Sequence, residues 1–200
     1  VSAALVTTTS KVEVTAATVT ISDANNTSIA ATVLSDIGSE TTGTVTVTNA
    51  INVTGTADEA VAALHTTGSK VEVTAATVTL SDDPTLTELK QLNAATTGAI
   101  KINTQSKTYS GSTADLAAAL AGTVTNNADA ALSGAMTVSD NSETGVTATD
   151  LSTIGGATTG TVTVTNAVDI TGTATELTAA LVTTTSKVEV TAATVTISDA

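Results

Sequence analysis

Aliphatic residues fall on every second position in several stretches of this chain. Val12, Val14, Val19 and Ile21 alternate with Glu13, Thr18 and Thr20, and Val45, Val47, Ile51 and Val53 alternate with Thr46, Asn52 and Thr54. A period of two turns one side of an extended strand toward a core and the other toward water. The Ala16-Ala17 and Asn49-Ala50 pairs break the alternation, so each stretch predicts two short strands meeting at a bend or bulge.

Short helices are predicted after these strands. Thr56-Ala-Asp-Glu59, Ser112-Thr-Ala-Asp115 and Thr173-Ala-Thr-Glu176 have the spacing at which a hydroxyl and a carboxylate cap each other's backbone amides, ahead of AVAAL, LAAAL and LTAAL. Elsewhere Asp83-Pro84 precedes Leu86, Leu89 and Leu92, which predicts a helix with proline in its first turn and Gly98 as its stop. Leu34 with Ile37 and Leu151 with Ile154 occupy the equivalent places.

The pattern repeats. KVEVTAATVTISD stands at 11–23 and 187–199, and KVEVTAATVTLSD at 70–82; the longer block AALVTTTSKVEVTAATVTISDA is identical at 3–24 and 179–200, an offset of 176. Between these lie TTGTVTVTNAINVTGTADEAVAAL (41–64), TTGTVTVTNAVDITGTATELTAAL (158–181) and the diverged TTGAIKINTQSKTYSGSTADLAAAL (96–120). Each copy ends on a leucine, and Leu5, Leu64, Leu120 and Leu181 are spaced by 59, 56 and 61 residues. The unit is therefore close to 59 residues in two related halves, each expected to run strand, strand, helix.

The expected fold class is an α/β, β-rich repeat solenoid, with short parallel strands and short capped helices in each coil. Residues 1–200 then form one continuous repeat array, with units at about 6–64, 65–120, 121–181 and a partial 182–200. The alternative is a string of tandem small β-rich domains; without aromatics, disulfides or metal such domains would be marginal alone. An array that starts at Val1 and stops in mid-unit leads us to expect a mature chain or a window from a longer one.

Composition narrows the function. The chain lacks Phe, Trp, Cys and Arg and has one Tyr, one Met, one His and one Pro, so its interior must be thin and aliphatic. Six basic residues against 19 acidic ones, a net charge of −13, argue against binding nucleic acid or an anionic membrane. No apolar run approaches the roughly 20 residues of a membrane span, so no membrane insertion is expected. Cysteine absence fits export.

The segment VTLSDDPTLTELKQLNAATTGAI (78–100), followed by SGSTADLAAAL (110–120), resembles the repeats of very long cyanobacterial and proteobacterial surface and adhesin-like proteins. Those repeats alternate a strand ending V-T-V-S-D-A with T-L-A-Q-L-K-like and G-T-A-A-D-L-like helices, and the similarity covers nearly the whole chain. The resemblance implies export by a type I route and a place outside the cell or on its surface, although the glycine-rich calcium nonapeptide of many type I substrates is missing.

Asp23, Asp82, Asp140 and Asp199 recur at spacings of 59, 58 and 59. Stacked units would align them in a row that calcium could bridge, helped by Asp83, Asn25, Asn26 or Asn141; the alternative is that each Asp caps the turn after its own strand. Thr accounts for 49 of the 200 residues, and rows such as Thr44-Thr46-Thr48 and Thr161-Thr163-Thr165 suit either ice binding or a soluble strand face. Asn25, Asn26 and Asn52 lie in glycosylation sequons, and surface Thr and Ser could carry glycans. The Lys11, Lys70 and Lys187 side chains, each two residues before a Glu, are candidates for linking neighbouring coils.

His65 is replaced by Val6, Ala121 and Val182 in the other copies, so it belongs to no repeated site. Catalytic and cofactor-binding residues are expected to be none. The expected function is that of an extracellular structural repeat protein, part of a surface layer, filament, sheath or adhesin stalk that associates with itself into a fibre or lattice. The alternative is a calcium-, glycan- or ice-binding repeat module.

Overall fold

The structure is a computed structural model and describes residues 1–6, 12–66 and 68–199. It is a mixed α/β chain of short parallel strands and seven helices among the described residues. Helix α1 (Ser2–Leu5) precedes the first unit, which holds β1 (Val19–Ile21), β2 (Ser28–Ala30), α2 (Ala31–Ser39), β3 (Val45–Val47), β4 (Asn52–Gly55) and α3 (Ala57–Leu64). The second holds β5 (Val71–Val73), β6 (Thr77–Leu80), α4 (Leu86–Ala95), β7 (Ile100–Ile102), β8 (Tyr109–Gly111) and α5 (Thr113–Leu120). The third holds β9 (Val124–Asn126), β10 (Met136–Val138), β11 (Gly145–Thr147), α6 (Ala148–Gly156), β12 (Val162–Val164), β13 (Val168–Gly172) and α7 (Ala174–Leu181), and β14 (Val188–Val190) and β15 (Ala193–Ile197) follow.

Three helices start at the predicted caps, two of them with the reciprocal pair. At α5 Ser112 accepts the Asp115 amide, but the Asp115 carboxylate takes the Ser112 hydroxyl and not its amide. Leu5, Leu64, Leu120 and Leu181 each close a helix, and Thr56 with Glu59 and Thr173 with Glu176 form reciprocal capping boxes at α3 and α7. The start of α4 differs from the expectation. Thr85, not Asp83-Pro84, is its cap, because Thr85 and Glu88 form a capping box of their own and leave Pro84 outside the helix. Its stop is Thr96, and Gly98 serves another purpose described below.

Strand, strand, helix is also too simple. Between α5 and α6 run three strands, β9, β10 and β11, whereas between α6 and α7 run two, β12 and β13. The third unit thus contributes five strands over two helices, and the sheets record this. The five-stranded sheet has the order β2-β4-β6-β7-β9, and the others are β1-β3-β5, β8-β10-β12-β14 and β11-β13-β15. The five-stranded sheet opens on a strand that leads directly into a helix, β2, and closes on the first strand after a helix, β9. Before α4 the third strand is missing where Pro84 stands, since proline brings no amide to a ladder.

Every pairing between these strands is parallel, and partners lie one segment apart: Val19 with Val45, Val45 with Val71, Met136 with Val162, Val162 with Val188. Parallel strands that pair in register align their inward residues, so Val53, Val78, Ile100 and Val124 form one buried row and Tyr109, Met136 and Val162 another. The helices stack from α1 through α7 and close the other side with Leu34 and Ile37, Leu89 and Leu92, Leu116, Leu151 and Ile154. The core is aliphatic apart from Tyr109 and Met136, as the composition requires. Each such side chain removed from water contributes about 1.5–3 kcal/mol.

Val12–Val14 is not a strand, although the identical Val188–Val190 is β14. Strands of this kind pair with a residue 26 positions earlier, as Val71 does with Val45 and Val188 with Val162. A strand of three residues is held by its neighbours more than by its own propensity, so the same sequence takes two conformations.

Candidate functional site

The residues that recur with the repeat are the natural candidates for a site, and the structure shows what holds each of them. The aspartates come first. The Ala57 amide at the start of α3 donates to Asp82 Oδ1 at 2.8 Å, and the Ala174 amide at the start of α7 donates to Asp199 Oδ1 at 2.8 Å. At α5 both the amide and the hydroxyl of Thr113 donate to Asp140 Oδ2, at 2.7 and 2.6 Å. Each Asp therefore sits on the helix of the preceding segment, 25 to 27 residues earlier in sequence, where orphan amides and the helix dipole favour a negative charge. Capping is the chemistry found, but it joins two segments instead of closing one turn. Asp23 is exposed beside Val1 and Ser2 at the rim of a shallow cleft.

Of the helpers considered for calcium, Asp83 accepts the Thr104 amide at 2.7 Å and Asn25 accepts the Ala50 amide at 3.1 Å. Among the described residues no group of three or more His, Cys, Asp or Glu side chains is placed to hold a metal ion.

A second recurring element was visible in the sequence, but its docking role was not. The Thr-Thr-Gly triplets dock on the backbone of the preceding segment, two of them at the Ala-Ala breaks. Thr41 Oγ1 donates to the Ala17 carbonyl at 2.6 Å, Thr96 Oγ1 to that of Ala76 at 2.7 Å, and Thr158 Oγ1 to that of Gly134 at 2.8 Å. The next threonines repeat the pattern one step on, Thr42 to Thr15 and Thr97 to Thr74. The glycine lets the two backbones touch: a Cβ at Gly98 would stand 2.2 Å from the Ala76 oxygen and one at Gly43 2.5 Å from that of Ala17. Farther along the same strands, Thr48 and Thr165 donate to the Ile21 and Val138 carbonyls, while Asn49 and Asn166 reach those of Asp23 and Asp140.

The outward Thr rows are short. Thr20 and Thr46 are followed by Glu72, Thr137 and Thr163 by Glu189, and Thr54 and Thr79 by Lys101. Lys11 lies outside the described residues. Lys70 and Lys187 stand just before β5 and β14 with φ of 55° and 56°, and their carbonyls accept the Val45 and Val162 amides at 2.9 Å. Lys90 pairs with Asp115 and Lys101 with Asp129, both at 2.6 Å and bridging neighbouring segments.

Charge perturbations follow these bonds. Asp115 is held below the usual carboxylate range by its bond to Lys90, then by Ser112, and Glu176 by the amide and hydroxyl of Thr173. Glu88 is also lowered: burial acts in the opposite sense, but the Thr85 hydroxyl and amide outweigh it. Asp58, hydrogen-bonded to Glu88 and repelled by its charge, is raised.

His65 ends α3 beside a depression of about 330 Å³ lined also by Leu86, Lys90, Gln91, Ala94 and Asp115. Lys90 and Asp115 already satisfy each other there. No helix of the described residues is long and apolar enough to cross a membrane. Comparison with protein-family models, curated protein sequences and solved structures found no match.

Proposed function

We propose that this chain is a solenoid-type structural polypeptide of the cell exterior, a section of a filament, sheath, surface layer or adhesin stalk, and not an enzyme. The observation that supports this reading is the employment of its recurring polar residues. Asp82, Asp140 and Asp199, Thr41, Thr96 and Thr158, and Asn49 and Asn166 all bond to the backbone or cap of a neighbouring segment. A repeated binding or catalytic module keeps its recurring polar groups free for a ligand. These are occupied in joining one segment to the next, as an array that transmits tension along its length requires.

Length in such an array grows by adding units without new folds, and the aliphatic core together with the acidic surface suits a chain that is exported, refolds without disulfides and stays soluble. Self-association into a fibre or lattice follows from open strand edges. Negative-stain imaging of the purified chain across a concentration series tests the proposal. Elongated particles that lengthen with concentration support it, and compact monomers at every concentration contradict it.

A further inference from the structure

One kind of joint recurs in the three units, where α2 meets α3, α4 meets α5 and α6 meets α7. In the first unit two ladders cross it, β1 with β3 and β2 with β4, and in the third two again, β10 with β12 and β11 with β13. In the second a single short ladder crosses, Val78 with Ile100 and Thr79 with Lys101. There β8 pairs only with β10, on the side of the following segment.

The cause is local. Nine residues, 22–30 and 139–147, lead into α2 and α6 and supply β2 and β11, whereas five, 81–85, lead into α4. Pro84 is buried among those five and has no amide to give a ladder. Leu86 stands where α2 and α6 begin with Ala31 and Ala148, and its longer side chain reaches the end of β8, so that a Cβ on Gly111 would lie 2.5 Å from Leu86 Cδ2. Side chains tie the two segments instead. Lys90 of α4 pairs with Asp115 of α5 at 2.6 Å, Asn93 Nδ2 donates to the Ala118 carbonyl at 2.8 Å, and Asp83 accepts the Thr104 amide at 2.7 Å. The sister helices carry Ser35 and Ser152 in place of Lys90, and Gly38 and Gly155 in place of Asn93. Water and salt reach the Lys90 and Asp115 side chains, 48% and 47% exposed, so this pair ties the segments more weakly than a second ladder would.

We propose that the joint between the α4 and α5 segments is a hinge of the array, the place where it opens first, and that the Lys90–Asp115 pair is its fastening. Opening there parts two segments along one short ladder, while the ladders on either side, β4 with β6 and β8 with β10, stay closed. An array that is bent or pulled yields at this joint before the neighbouring units lose their cores. Such a hinge works in the isolated chain and does not require the exterior placement proposed above.

Hydrogen exchange of the full chain, followed amide by amide by NMR, tests the hinge. Val78 and Met136 hold equivalent places, both are buried, and each amide donates across its joint at 2.9 Å, to the Ala99 and Thr161 carbonyls. The protection factor of Val78 is expected to lie about tenfold or more below that of Met136. Lys90→Met should lower it by a further factor of about two to five, the worth of an exposed ion pair, and Lys90→Arg should restore it. Met136 should respond to neither. Equal protection of Val78 and Met136 overturns the hinge. A Val78 amide that is less protected yet indifferent to Lys90→Met overturns the fastening, and equal loss at Val78 and Met136 in Lys90→Met shows global unfolding and overturns it as well.

Discussion

The Thr96 hydroxyl donates to the Ala76 carbonyl at 2.7 Å, across twenty residues of chain, and at the same time accepts the Gly98 amide at 3.0 Å. Thr96 is 4% exposed, so its hydroxyl has little water to turn to. Thr96→Val keeps the shape and removes both bonds, leaving the Ala76 carbonyl without this donor. The cost should be about 1–3 kcal/mol in denaturant melts. Thr158→Val, at the equivalent docking point, should cost a similar amount, and a neutral result at both would show that the docking contributes nothing to stability.

Adjacent glycines of α6 should respond in opposite directions. A Cβ on Gly155 would lie 1.8 Å from the Ser186 carbonyl oxygen of the next segment, whereas one on Gly156 meets nothing within 4 Å. Gly155→Ala should therefore destabilise by about 1–3 kcal/mol through forced separation of the segments. Gly156→Ala should stabilise by up to about 1 kcal/mol through helix propensity. Thermal melts of the two variants check this; equal effects would mean that the segments do not approach as described.

Asp140 tests whether the recurring carboxylates are caps. Asp140→Ala removes the acceptor of both Thr113 groups and should cost about 0.5–2 kcal/mol. Millimolar calcium should leave the melting temperature where an equal ionic strength of sodium chloride leaves it. A calcium-specific rise that Asp140→Ala abolishes would restore the metal reading of the aspartate row.

Tyr109 is the one tyrosine of a chain without Phe or Trp, 5% exposed, with a buried hydroxyl that meets no hydrogen-bond partner among the described residues. Its place is held by Val53 and Ile170 in the sister repeats. Tyr109→Phe should raise stability by about 1–3 kcal/mol, since an unsatisfied polar group is removed. Burial, reinforced by the charges of Asp83 and Glu88, pushes the phenol above the usual tyrosine range. In the unfolded chain the phenol ionises near its ordinary value of about pH 10, while the folded chain holds it neutral. The stability this gives up is therefore absent below that pH and grows as pH rises beyond it, because the unfolded state alone releases the proton. Denaturant melts at neutral and alkaline pH should show the wild type losing more stability than Tyr109→Phe; parallel losses would contradict the burial.

Local features of the fold were legible in the sequence because their partners are close. Alternating Val and Ile marked the strands, and Thr56 with Glu59 and Thr173 with Glu176 marked helix starts, since each pair closes over three residues. Asp83-Pro84 misled because the nearer Thr85-Glu88 box competes for the same helix. The features not legible are those whose partner lies a segment away. Val12–Val14 and Val188–Val190 share a sequence and differ in structure, and the strand at Val188–Val190 rests on a ladder partner 26 residues off. The Thr-Thr-Gly triplets were visible as repeats, but a repeated turn and a repeated docking point look alike until the carbonyl they meet is known. The same holds for the aspartates, whose acceptor role was anticipated and whose donors, on the preceding helix, were not.

Stacking depends on backbone hydrogen bonds that cross from one repeat unit to the next. Val45 donates to the Lys70 carbonyl, Ile100 to that of Thr123 and Val162 to that of Lys187, each at 2.9 Å, and each bond spans a unit boundary. Scalar couplings transmitted through hydrogen bonds, measured by NMR on the isotopically labelled 19.4 kDa chain, read these pairs one by one. Stacked repeats predict couplings for all three pairs. Couplings confined within units 6–64, 65–120 and 121–181, with none across their boundaries, would mean separate small modules and would contradict it.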